Sequence, residues 1–113
     1  MGYPIQLVGL KGQRVLLAGG GPIAAEKAVP LIHAGARVHL VAIEVGPEIE
    51  ELLPDVWRFD QRSVNEDDVE GAKVVVAATD DSSVNRALVE TARSQGILAQ
   101  AADDKPYCDF YSP

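Results

Sequence analysis

Apolar residues along the chain fall into five short runs, at positions 14–18, 37–42, 56–59, 73–78 and 97–102, separated by segments with helical or turn-like spacing. Most of the runs are continuous Val, Leu, Ile and Ala rather than alternating apolar and polar. That is the pattern of strands covered on both faces of a parallel sheet. Between the first two, "PIAAEKAVPLIHAG" places Ile23, Ala24, Ala28, Leu31 and Ile32 at helical spacing, with Pro22 at the start and Gly35 at the stop. The spacing predicts a helix of about three turns. Pro30 lies inside it, lacks an amide donor and crowds the preceding turn, which predicts a kink or an early end. "GPEIEELL" at 46–53 predicts a short second helix closed by Pro54, and "NEDDVEG" at 65–71 a one-turn element or loop. The segment 80–96 carries Val84, Ala87, Leu88 and Ala92 on one stripe, Asp81 or Ser82 as cap and Gly96 as stop. This alternation of strand and helix predicts an α/β fold: a Rossmann-like doubly wound parallel sheet in three layers, with right-handed crossovers and strand order 3-2-1-4-5.

Composition narrows the class. At 113 residues the chain is expected to form one domain with a core of its own. The longest near-apolar run, positions 15–25, is far short of a membrane span, no basic leader precedes an apolar stretch, and Gln6 stands where a myristoylation signal needs Ser or Thr. The expectation is a cytoplasmic protein without a membrane helix. Cys108 has no second thiol to pair with, which excludes an internal disulfide and a CxxC motif. The formal charge is −7, and the ten Lys and Arg are scattered rather than clustered, which argues against nucleic acid as a partner.

The chemistry concentrates in "RVLLAGGGPIAAEKA". Gly19, Gly21 and Ala24 fit G-x-G-x-x-G/A between a predicted strand and a predicted helix, the context in which this pattern signals a dinucleotide site. Gly19 allows the tight turn, Gly21 lets a pyrophosphate approach the backbone, and Ala24 lets helix and strand pack closely. The helix N-terminus supplies amide donors and partial positive charge. The alternative is a Gly-rich turn that binds nothing. The acid that holds the adenosine ribose is missing from the end of the second strand, where Val41, Ala42 and Ile43 stand. Glu44 follows slightly late, as a ribose contact or a solvated loop carboxylate. Arg37 sits at the wrong end of that strand for a 2′-phosphate, so NAD is favoured over NADP.

Three segments carry a family resemblance: "LKGQRVLLAGGGPIAAEKAVPLIHAGARVHLVA", "VVVAATDDSSVNRAL" and "GILAQAADDKPYCDFYSP". In order and spacing they resemble the NAD-binding domain of precorrin-2 dehydrogenases, the siroheme synthase N-terminal domain, over almost the whole chain. The most specific parts are the run from Thr79 to Asn85 and the tail from Asp103 onward. The resemblance implies NAD-dependent oxidation of the macrocycle precorrin-2 to sirohydrochlorin in siroheme biosynthesis. Some members of the family also insert ferrous iron. It places Pro22, Ile23, Ile43 and Glu44 at the NAD contacts, Thr79 and Asp80 in the crevice beyond the fourth strand, and Asp103 on the family's active-site aspartate. Asp103 also follows the fifth predicted strand at its carboxyl end, where open α/β sheets bind ligands. A carboxylate there accepts the proton released as conjugation extends, or holds the metal ion during chelation. The bland alternative is a solvated turn; Asp104 is the second candidate.

The family continues past the position of Pro113 into a dimerisation segment and a small helical domain, neither of which this sequence contains; the resemblance thus implies a homodimer built through segments beyond Pro113. Precorrin-2 is a polycarboxylate, and a charge of −7 is an awkward host for it unless other segments contribute arginines. His33, His39 and Cys108 read as structural, with no metal-ligand spacing among them, and Trp57 and Phe59 as core or edge packing. Two other functions fit a glycine loop. One is a non-catalytic NAD-binding regulatory module, the other a methyltransferase using S-adenosylmethionine; both usually keep the acid that is missing here.

Overall fold

The computed structural model describes residues 7–102 and 104–111. Five parallel strands form one sheet in the order β3-β2-β1-β4-β5: β1 Arg14–Ala18, β2 Arg37–Ala42, β3 Arg58–Gln61, β4 Val74–Ala77 and β5 Leu98–Ala101. Helices α1 (Pro22–His33), α2 (Pro47–Leu52) and α3 (Ser82–Ser94) cross between them. This is the doubly wound Rossmann-like fold that the apolar pattern predicts.

Alternation along β1 divides the core. Leu16 and Ala18 face a cluster closed by Leu88, Val89 and Ala92 of α3, with Val69. Val15 and Leu17 face the opposite one, closed by Ala24, Ala25 and Ala28 of α1 and Ile49 of α2. Each central strand is thus buried on both sides, which is why its sequence is a continuous apolar run. The α1 surface against the sheet is alanine, so helix and strand approach closely.

The boundaries differ from expectation in three places. β3 starts at Arg58, not at position 56, because Val56 N–H is taken by the Leu53 carbonyl in a 3₁₀ turn, Leu53–Asp55, which also absorbs Pro54. As an edge strand it has no need of an apolar run, and its polar residues reach sideways to β2 and the neighbouring loops. β4 and β5 are each shorter by one residue at either end than the predicted 73–78 and 97–102, although Lys73 and Ala78 still donate to the Arg14 and Ala18 carbonyls. Helix α1 does not end early at Pro30. It runs to His33, because proline in the exposed last turn costs a single intrahelical bond, while the Pro30 carbonyl still accepts from Ala34 N–H. The 65–71 segment is a 3₁₀ turn, Glu66–Val69, capped by Asn65. Asp81, rather than Ser82, caps α3, its Oδ1 accepting from Ser83 N–H at 2.9 Å. Among the described residues no helix is long and apolar enough to cross a membrane.

Leu17 is fully buried at the centre of the α1-side cluster. Leu17→Ala is expected to lower unfolding free energy by about 2–5 kcal/mol, read from the urea midpoint.

Candidate functional site

A cavity of about 780 Å³ opens at the carboxyl ends of β1 to β4. Its walls are the loops that leave those strands: Gly19–Ile23, Ile43–Gly46, Arg62–Val64 and Thr79–Asp81. The strand order reverses between β1 and β4, so the cavity sits at the topological switch point, where open α/β sheets bind ligands. All eight residues expected to contact a dinucleotide line it: Gly19, Gly21, Pro22, Ile23, Ile43, Glu44, Thr79 and Asp80. Ile43 is 69% exposed and Ile23 40%, two apolar side chains left uncovered at its rim.

The three glycines have three different reasons to be glycine. Gly19 has φ +130°, and a Cβ there would stand 2.2 Å from the Ala78 carbonyl oxygen. At Gly20 a Cβ would stand 2.0 Å from the Glu44 carbonyl oxygen, and the Gly20 carbonyl accepts from Gly46 N–H at 2.8 Å. Gly21 has ordinary extended backbone, φ −97°, and nothing lies within 4 Å of where its Cβ would be. The fold does not require glycine there; the space a side chain would fill belongs to the cavity. No side chain caps α1, unlike α3, and Pro22 supplies no amide, so Ile23 N–H, at the cavity, is the first helical amide that a ligand at the helix N-terminus can meet, while Ala24 behind it is fully buried.

The β4–α3 loop is held from below. Buried Asn85 accepts from Thr79 N–H at 3.1 Å and the Thr79 hydroxyl at 2.6 Å, and returns a bond from Nδ2 to the Thr79 carbonyl at 3.0 Å. The Thr79 hydroxyl is therefore engaged within the protein, and the loop meets the cavity in a fixed conformation. Asp81 is tied to the cap; its hydrogen bonds from Ser83 and Val84 hold the carboxyl below the usual range.

Behind the Arg62–Val64 wall stands a charged cluster that the sequence did not reveal, of which Arg62 alone lines the cavity. Buried His39 accepts from Arg14 on Nδ1, at 3.1 Å from Nε and 2.9 Å from Nη2, so its proton sits on Nε2 and is donated to Asp60 Oδ2 at 2.7 Å. Asp60 also pairs with Arg58 at 3.0 Å and Arg62 at 3.5 Å, and Arg62 pairs with buried Asp68 at 2.7 Å. Hydrogen bonds from His39 and Arg62 hold the Asp60 and Asp68 carboxyls, respectively, below their usual range. Arg62 lines the cavity; its one signal in the sequence is its place just after the third apolar run.

Asp103 lies outside the described residues. Asp104, the second candidate, pairs with Arg86 at 2.9 Å and lies apart from the main cavity, on a shallow one shared with Lys27, Gln100 and Cys108. Cys108 donates to the Ala101 and Asp104 carbonyls, and burial pushes its thiol up, as befits a packing residue. His39 is structural, as expected. Trp57 is half exposed just before β3, edge-on to His39 with Arg37 over its ring.

A Gly-rich strand-to-helix turn, an uncapped helix and a cavity at the switch point define the class as a Rossmann-type nucleotide-binding domain. Residues 7–113 match the model of the family described as "Putative NAD(P)-binding", and the chain belongs to that family. It is 35% identical to a siroheme synthase of Nitrosococcus oceani over all of its length and 24% of the relative's, and 39% identical to that of Chromobacterium violaceum over 98% and 24%. Among solved structures it is similar to SirC, precorrin-2 dehydrogenase, with a TM-score of 0.77 and 31% identity over 98% of this chain and 52% of that one. The chain thus spans about a quarter of the length of the curated relatives it matches and half of that structure.

The depressed carboxyls set a pH dependence. Each binds its proton less readily folded than unfolded, so the stability it adds is present above the unfolded value and is lost as pH falls through the lower folded one. The urea midpoint is expected to hold from pH 7 to about 5 and to fall below about 4. In Arg62→Met the acid-limb slope should be shallower, because Asp68 then titrates nearer its unfolded value.

Proposed function

We propose that this chain is the NAD-binding portion of a cytoplasmic precorrin-2 dehydrogenase of siroheme biosynthesis, oxidising precorrin-2 to sirohydrochlorin. The observation that carries the reading is Gly21: a glycine that neither backbone angle nor packing demands, opening onto the cavity beside an uncapped helix N-terminus. The residues fit a dinucleotide. The pyrophosphate lies against Gly21 and takes the Ile23 amide at the helix N-terminus, while the Ile23 and Ile43 side chains offer apolar cover for the rings. Glu44, the first carboxylate after β2, takes the ribose hydroxyl role whose usual acid is missing. Thr79 and Asp80 form the opposite lip. When bound, NAD supplies the acceptor for the hydride that leaves the macrocycle.

Asp103 is the acid/base of this reading. It follows β5, whose neighbour β4 delivers the Thr79–Asp81 lip, and a carboxylate there takes up the proton released as conjugation extends. Insertion of ferrous iron and pairing with a second copy are also implied by the family and rest on the resemblance alone. Among the described residues no cluster of His, Cys, Asp or Glu is arranged to hold a metal ion.

The first test separates fold from function in the glycine turn. Gly21→Ala is expected to keep the melting temperature and to weaken NAD binding at least about tenfold, the scale of one charge-assisted hydrogen bond. Gly19→Ala is expected to destabilise the fold itself by more than about 2 kcal/mol, because its Cβ meets a backbone carbonyl. Unchanged NAD affinity in Gly21→Ala refutes the site.

The second test is anaerobic turnover of precorrin-2 with NAD, followed by sirohydrochlorin absorbance. Turnover by the parent and its loss in Asp103→Asn, with NAD binding intact, supports the dehydrogenase; if both bind NAD and neither turns over, the catalytic claim fails for this chain, leaving a truncated enzyme or a sensing module.

A further inference from the structure

The guanidinium of Arg62 is engaged before any ligand arrives. Nη1 donates to Asp68 Oδ2 at 2.9 Å and to the Ser63 carbonyl at 3.1 Å; Nη2 donates to Asp68 Oδ1 at 2.7 Å and lies 3.5 Å from Asp60 Oδ2. Three of the four Nη hydrogens are therefore donated, both Nη groups to Asp68, and the Asp60 carboxylate stands at ion-pair distance from Nη2. Asp68 is itself fixed: its Oδ2 accepts from Asn65 N–H at 2.9 Å, its backbone carbonyl accepts from Arg14, and its residue is 8% exposed. This is a built pair, unlike the loose surface pairs that contribute little.

The position of the pair matters because Arg62 N–H donates to the Ala42 carbonyl at 3.0 Å, placing it beside the end of β2. In a Rossmann domain that is where the adenosine ribose lies and where a free arginine accommodates a 2′-phosphate. Here Arg58 and Arg62 are matched by Asp60 and Asp68, and Arg14 is turned to His39, so no surplus positive charge faces the cavity from this wall. Glu44 adds a negative one nearby.

We propose that Asp68 is a specificity-determining residue: by holding both Nη groups of Arg62 it withholds the guanidinium fork from a 2′-phosphate, so the cavity takes NAD and rejects NADP. This rests on the reading of the cavity as a dinucleotide site. Asp68 touches no ligand in this scheme; it acts through Arg62, whose fork alone has the geometry to grip a phosphate bidentately.

The test is calorimetric titration with NAD and with NADP of the parent chain, Asp68→Asn, and the double variant Asp68→Asn with Arg62→Gln. The parent should bind NAD at least about tenfold more tightly than NADP, the scale of one charge-assisted hydrogen bond. Asp68→Asn frees the fork and should raise NADP affinity by a similar factor while leaving NAD affinity in place; the added Arg62→Gln should abolish the gain. A purely structural role for Asp68 would weaken both dinucleotides together. A ratio unmoved in Asp68→Asn, or a parent without preference, overturns the inference alone; a parent that binds neither dinucleotide overturns the dinucleotide site as well. Should Asp68→Asn fail to fold by circular dichroism, Arg62→Gln decides: unchanged NADP affinity supports an already engaged guanidinium, and a selective fall in NADP affinity refutes it.

Discussion

The close approach of three loops at the switch point is the constraint on which the remaining structure depends. The loop after β1 lies against the backbone of the loop after β4 at Gly19 and against that of the loop after β2 at Gly20, at distances that leave no room for a Cβ at either position. Backbone bonds sew the same region: Gly19 N–H to the Val41 carbonyl, Ala78 N–H to the Ala18 carbonyl, Gly46 N–H to the Gly20 carbonyl. Because the strands are pinned at these points, the cavity wall is set by main chain, which has few ways to rearrange. Side chains then only decorate a surface whose shape is already fixed.

Much of this was legible in the sequence where the controlling interactions are local. The continuous apolar runs of β1, β2 and β4 are the direct imprint of burial on two faces, and the G-x-G-x-x-A pattern located the turn and the packing face of α1. The cap of α3 is a contact within three residues, so sequence narrows it to Asp81 or Ser82, and the fold selects Asp81. What escaped depends on pairings across the sheet. Arg14, His39, Asp60, Arg62 and Asp68 come from four separate segments, and no spacing rule connects them. β3 was misplaced for a related reason: its strand character comes from pairing with β2 and from polar contacts at the edge, whereas Val56 and Trp57 carry the apolar signal in the turn before it. Gly20 is another such case, since the pattern allows any residue there and only the Glu44 carbonyl, brought from another loop, requires glycine. Asn85 marked the resemblance, but its reason, a clamp on Thr79, needed the fold.

The charged cluster shows how an acidic chain keeps arginines in its sheet. A buried charge is tolerable only when paired and hydrogen-bonded. Here each guanidinium is matched by a carboxylate, a neutral imidazole acceptor or backbone carbonyls, and none of the buried side-chain polar atoms among the described residues lacks a partner. The same pairing that makes the cluster tolerable removes its positive charge from the cavity. Attraction for a phosphate must then come from somewhere else, and the amides of α1 are what remains.

The two long helices divide these needs. α3 closes its own N-terminus with Asp81, whose carboxylate satisfies the first-turn amides and complements the helix dipole; an anion arriving there would meet a site already filled. α1 begins with glycine and proline, neither of which caps it with a side chain, and the Ile23 amide behind them stays uncapped at the cavity wall. Leaving a helix uncapped sacrifices stability of the order of a kilocalorie per mole. The alanine face of α1, packed on β1 and β2, gives the helix its support from burial instead, so its N-terminus is free to serve a ligand. Capping, glycine placement and alanine packing are thus one arrangement: the helix that holds itself by its side leaves its end open.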